Sequence, residues 1–233
     1  VSAPDAPKLA SHQQKLVVID DDVAFSGAMD LTKSRSDSQD HRLDDDRRRK
    51  PGLIPSTFGP YHDVMAVMDG EAAAVLGRWC RRRWARATGE KPASLPEAAP
   101  REQRVWPPSV DPLLTDTSVA IARTEPDFSD REEVRQVEES FLEQIRSAQT
   151  LIFIETQYLA SDRITDAMCD RLREDNGTEI VLIMPFGCPG RIQSMVMDHQ
   201  RDRLLDRLRD ADRGNRFGGF WASLAGGETD DVY

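Results

Sequence analysis

Few side chains in this chain of 233 residues can do acid/base or nucleophilic chemistry: the four histidines His12, His41, His62 and His199, and the three cysteines Cys80, Cys169 and Cys188. The cysteines are far apart and none has a His or Cys at ligand spacing, so they read as buried or half-buried thiols of a reducing compartment, not as a zinc or disulfide site. Imidazole is the side chain that changes charge near neutral pH, so the histidines matter most. His199 lies among the alternating charges Arg201, Asp202, Arg203, Asp206 and Arg207, the pattern of a solvated helix face. His62-Asp63 stands just ahead of the apolar run Val64 to Met68 and reads as support at a strand entrance. The pairs Gly218-Gly219 and Gly226-Gly227 lack the strand-to-helix setting of a nucleotide loop and read as flexible turns. The densest candidate chemistry lies in residues 11–32, where His12, Gln13, Lys15, Asp20-Asp21-Asp22 and Asp30 surround one apolar run.

That segment, Ser11-His12-Gln13-Gln14-Lys15-Leu16-Val17-Val18-Ile19-Asp20 and onward to Asp30-Leu31-Thr32, resembles the phospholipase D superfamily. The family signature is His-x-Lys-x4-Asp-x6-Gly, and Lys15, Asp20 and Gly27 fall in that register. Arg35, Asp37 and His41, then Tyr61-His62-Asp63-Val64, look like the bacterial branch of the family, and Ile154-Glu155-Thr156-Gln157-Tyr158 is similar to its Ile-Glu-Asn-Gln-Tyr segment. The resemblance implies a phosphodiesterase in which one imidazole attacks phosphorus and a second protonates the leaving alcohol, then activates water or an acceptor alcohol. Two lysines neutralise the non-bridging oxygens, and no metal or other cofactor is required. By this resemblance Lys15 holds a phosphate oxygen, Asp20 and Asp30 support the motif, and Gly27, Asp37, His62, Asp63 and Gln157 are supporting positions.

The chain departs from the pattern where the chemistry is done. Counted back from Lys15 and Asp20, the catalytic histidine belongs at residue 13, where the chain has Gln13. An amide has neither the nucleophilic lone pair nor the near-neutral pKa of imidazole. Residues i and i+2 of a strand share a face, so Gln13 and Lys15 project together while His12, one residue off, points to the other side and reads as a packing histidine beside the site. Ser36 replaces the Trp usual between the residues matching Arg35 and Asp37, and no second His-x-Lys-x4-Asp occurs. The opening on Val1 and the ending Asp230-Asp231-Val232-Tyr233, like the approach to a second motif, lead to the expectation of a fragment cut at both ends.

The elements that must position these residues follow from periodicity. Lys15 to Ile19 and Val23 to Phe25 flank an acidic turn and read as a hairpin. From Gly27 through the block Asp44-Asp45-Asp46-Arg47-Arg48-Arg49-Lys50 no period holds, which predicts a long surface loop. Val64 to Met68 predicts a strand, followed by a helix opened by Gly70 and ended by Gly89. In that helix Arg81-Arg82-Arg83 reads as surface, with Trp79 and Trp84 in the core. Beyond the Pro-rich stretch the pattern predicts a strand at Val119 to Ala122, a helix from Arg131 to Gln149 with Val134, Val137, Phe141 and Ile145 on one face, and a strand at Leu151 to Glu155. A helix capped by Asp162 and reaching Arg173, a strand at Glu179 to Met184 and a helix from Arg191 to Asp212 complete it.

Alternating strands and helices predict an α/β protein: a phospholipase D-like fold of mixed sheets flanked by helices, in parts of two similar lobes. The expected division is 1–91 as the remainder of the first lobe, 92–112 as a linker with six prolines, and 113–233 as a second lobe truncated before its motif. With 39% hydrophobic and 31% charged residues, disorder throughout is excluded, and the longest apolar runs fall far below the roughly 18 residues of a spanning helix. A net charge of −10 argues against a nucleic-acid partner. The expected partner is a phospholipid or another phosphodiester, with contact to a membrane surface, in a cytoplasmic or peripheral membrane location. The competing readings are a degenerate module that binds phosphate or anionic lipid without turnover, and a nucleic-acid phosphodiesterase of the same superfamily.

Overall fold

The computed structural model describes residues 13–50, 56–93, 106–127, 131–185 and 191–221, and shows a mixed α/β protein. The chain divides into two compact units: unit 1 is Val1–Arg35 with Asp63–Val134, and unit 2 is Ser36–His62 with Arg135–Tyr233. The division differs from the expected lobes, since 36–62 joins unit 2 and 113–134 joins unit 1. Within 36–62, Asp37 bonds His41, Arg48 and Tyr61, and His62 pairs with Glu155 of unit 2. Residues 94–105 of the Pro-rich stretch lie outside the described residues.

Unit 1 is built on the antiparallel sheet β1 (Lys15–Ile19), β2 (Val23–Gly27) and β3 (Met65–Asp69), in that spatial order. The hairpin is the expected one, closed by Asp20 and Asp21 at φ 52° and 59° with the Asp22 N–H donating to the Ile19 carbonyl at 3.0 Å. Aspartate is among the few non-glycine residues that tolerate this left-handed region, which explains an acidic turn here. Helix α1 (Gly70–Thr88) follows β3 directly and stops at Gly89, whose φ of 75° lets its N–H close on the Ala85 carbonyl. Its Ala73 and Leu76 pack on Ala24, with Leu16, Val18 and Met68 half-buried around them. Trp84 contradicts the expected core position: it is 53% exposed, because its place near the end of α1 carries it past the edge of this small core.

Unit 2 runs α2 (Gln136–Ser147), β4 (Leu151–Glu155), α3 (Asp162–Arg173), β5 (Glu179–Met184), α4 (Arg191–Ala211) and β6 (Phe217–Trp221). Its sheet is parallel with β5 central, since β4 and β6 each pair with it. The two sheets therefore differ in polarity. A tight turn returns β1 into β2, whereas helices carry the chain between β4, β5 and β6. One continuous core holds Ile152, Ile180, Leu182 and Met184 of the sheet against Met168 and Leu172 of α3 and Leu204, Leu205 and Leu208 of α4.

Several expectations need correction. Val119 to Ala122 forms no strand; it has no partner among the described residues to satisfy its backbone, and Val119 is exposed. Helix α2 begins at Gln136 and turns Leu142 and Ile145 inward, leaving Phe141 on the rim. The cap of α3 is Ser161, whose hydroxyl accepts from the Ile164 N–H, with Asp162 the first helical residue. Gly218-Gly219 lies inside β6: the weak strand preference of glycine is overridden by pairing with β5 between Phe217 and Phe220. Asp212 sets up that strand by accepting from the N–H groups of Gly214, Arg216 and Phe217, which outweighs burial and holds its carboxyl below the ordinary value.

Candidate functional site

The chemistry-bearing residues fall into two clusters, one in each unit. In unit 1 Gln13 lies two residues ahead of β1, and the Lys15 Nζ at the start of the strand donates to Gln13 Oε1 at 3.2 Å. The same ammonium lies 3.5 Å from Asp30 Oδ1, and Asp30 Oδ2 lies 3.7 Å from Arg35 Nε. Lys15 is 22% exposed and Asp30 42%, so the cluster opens to solvent. Gly27 stands opposite Lys15 in the β1–β2 ladder and opposite Met65 in the next. A Cβ at Gly27 would lie 2.6 Å from the Val64 carbonyl and 2.7 Å from the Met65 Cα, so glycine is required for β3 to close on this end of the sheet.

Asp20 is not brought to this cluster. It sits exposed in the hairpin turn at the far end of β1, roughly 16 Å of strand away from Lys15. Its neighbour Asp21 makes the tertiary contact, accepting from Arg81 Nη1 at 2.8 Å and Nη2 at 2.6 Å. Asp63 is half-buried and accepts from the Val64 N–H at 2.8 Å, just ahead of β3. His12 lies outside the described residues.

Unit 2 gathers three of the separated sequence segments into one cluster. Asp37, with a side chain 5% exposed, accepts from the N–H groups of Ser38 and Tyr61 at 2.8 Å each, from Arg48 Nη1 at 3.0 Å, and pairs with His41 Nδ1 at 2.8 Å. Burial pushes the Asp37 carboxyl up, but His41, the two N–H groups and the Arg48 charge together outweigh it and hold the carboxyl below its ordinary value. His62 Nε2 lies 2.9 Å from Glu155 Oε1, and the His41 and His62 rings meet edge to face with centroids 5.5 Å apart. Each imidazole thus has one nitrogen against a carboxylate, the arrangement that orients a ring. Gln157 is exposed two residues beyond Glu155.

Arg48 was missed by sequence reasoning. It reads as one more charge in an acidic and basic block, yet it is 2% exposed, paired with Asp37 and bonded to the Arg42 carbonyl. Its only sequence signal is a buried partner, Asp37, eleven residues back.

Neither described thiol is activated as a nucleophile. Burial pushes Cys80 and Cys169 above the ordinary thiol value, which disfavours the reactive thiolate. Among the described residues no group of three or more His, Cys, Asp or Glu is placed to hold a metal ion, and no helix is long and apolar enough to cross a membrane. In comparisons with known proteins, the chain matches no protein-family model and no curated protein.

Proposed function

We propose that this chain is part of a phospholipase D-type phosphodiesterase, in which Lys15 offers a cation to a phosphate oxygen and Gln13 occupies the position of the nucleophilic imidazole. The observation that supports this reading is the Lys15 to Gln13 hydrogen bond at 3.2 Å, because the family motif requires its first and third residues to reach one phosphate together. Asp30, the position the resemblance assigns as support, lies against the same ammonium. The engaged Gln13 amide favours a second reading, a module that binds a phosphate headgroup without releasing it, since an amide can hold a ligand but cannot attack phosphorus or carry a proton at neutral pH.

Headgroup release is the decisive assay, run on this chain, on a version extended to carry a second His-x-Lys-x4-Asp segment, and on that version with Gln13→His. Loss of a positioned acid or base costs about 10² to 10⁴-fold, so turnover is expected only in the third protein. Robust release by the chain as it stands would defeat the proposal. Phosphate binding lost on Lys15→Ala, with no release in any of the three, would select the binding module.

A further inference from the structure

Residues 78–91, the C-terminal half of α1 and its exit, carry five arginines and Lys91 against one acidic residue, Glu90, in a chain of net charge −10. The side-chain contacts show which of these charges the protein engages within itself. Arg81 is taken up by Asp21, Arg83 donates to Gln14 Oε1 at 2.9 Å, and Arg86 shares Glu125 with Arg123. Arg78 and Arg82 have no carboxylate partner among the described residues. They stand exposed one helical turn apart, where like charges repel.

The same surface carries indole. Trp79 is half-buried on the arginine face of α1, with the Arg123 guanidinium 3.9 Å from its ring centroid and that of Arg82 at 5.7 Å. Trp84, near the end of the helix, is 53% exposed. An exposed Trp costs free energy in water, and of the two guanidinia over the Trp79 indole Arg123 has Glu125 while Arg82 has no carboxylate among the described residues. Both are accommodated at one kind of surface, the interface of an anionic bilayer. There tryptophan rings lie at headgroup level and each basic residue gains about 1 kcal/mol from the lipid phosphates.

We propose that the C-terminal half of α1, with Arg78, Trp79, Arg82, Arg83 and Trp84, is a docking surface for an anionic lipid bilayer. Guanidinia that have no carboxylate among the described residues, beside exposed indole, favour a bilayer over a nucleic acid, whose phosphates would engage the arginines but leave Trp84 in water. The inference does not depend on headgroup release, and its failure would leave the phosphodiesterase reading where it stands.

The test is co-sedimentation of the full chain with phosphatidylcholine vesicles, with and without phosphatidylglycerol. Arg78→Gln/Arg82→Gln is compared with Arg173→Gln/Arg209→Gln, which makes the same change in net charge on exposed helix positions of unit 2. Binding to the anionic vesicles alone is expected, weakening with salt and falling about 30-fold in the first variant, as two lost contributions of about 1 kcal/mol imply. The second variant should bind as the parent does, and quenching by brominated lipid should fall in Trp84→Phe. No binding to anionic vesicles, equal loss in the two arginine variants, or tighter binding to a duplex oligonucleotide at the same salt would overturn the proposal. Thermal midpoints matched to the parent exclude misfolding, since Arg78 and Arg82 are exposed.

Discussion

Asp37 shows what a single residue does in this protein. Its carboxylate is buried with four hydrogen-bonding partners, and it joins the irregular segment 36–62 to itself through Arg48, Tyr61 and His41. Removing the charge strands Arg48 in a buried place, so Asp37→Asn is expected to cost about 2–4 kcal/mol in urea unfolding. A pH dependence follows from the same carboxyl. The unfolded chain takes up its proton near the ordinary value of about 3.9, while the native state holds it off to lower pH. Between those values the unfolded state binds more protons. The Asp37 contribution is therefore complete above about pH 5 and is lost as pH falls through the depressed native value. Melts from pH 6 down to 2 should show a shallower acid loss in Asp37→Asn than in the parent, and identical slopes would show that Asp37 is not the group responsible. Asp37 and His41 were legible as family-like positions. Their burial was not, because a polar, aperiodic stretch carries no sign of which of its charges finds a partner.

Among the elements, α1 is the most completely readable and also holds a residue whose role only packing reveals. Its bounds follow from Gly70 and Gly89, and Ala73 and Leu76 supply the apolar stripe. Gly77 lies mid-helix, where glycine costs about 1 kcal/mol relative to alanine, so propensity alone predicts that Gly77→Ala stabilises. The structure predicts the opposite sign. A Cβ at Gly77 would strike the Asp21 carboxylate, which occupies that space to reach Arg81. Gly77→Ala should destabilise by about 1–3 kcal/mol, the usual range for overpacking. In an Asp21→Gly background, which tolerates the turn's positive φ, the same substitution should become stabilising by up to about 1 kcal/mol. Chemical denaturation of the four proteins of this cycle tests it, and an unchanged sign in the second background would refute the account. The strands of unit 2 were equally legible, since LIFIE and EIVLIM are apolar, β-branched and strand-length. Strand β6 was not, because two glycines hide a strand whose order depends on an edge of β5 that sequence does not display.

At the scale of the molecule the two units are unequal. Among the described residues, the core of unit 2 is a cluster of thirteen buried residues, whereas that of unit 1 is three. Local stability follows buried apolar contact, so amides of Ile180 to Met184 should exchange with solvent about 100-fold or more slowly than those of Leu16 to Val18. Equal protection of the two strands by hydrogen exchange would contradict that ranking. What the sequence by itself determined is local: the hairpin at its acidic turn, α1 between its glycines, and β4 and β5. Each of these is set by residues a few positions apart, through turn conformation, capping or strand period. Tertiary structure alone decided the rest. It paired His62 with Glu155, brought His41 to His62, left Asp20 at the far end of β1 from Lys15, and turned Trp84 outward. Those outcomes depend on which distant groups compete for the same space and the same hydrogen bonds, and that competition exists only once the chain has folded back on itself.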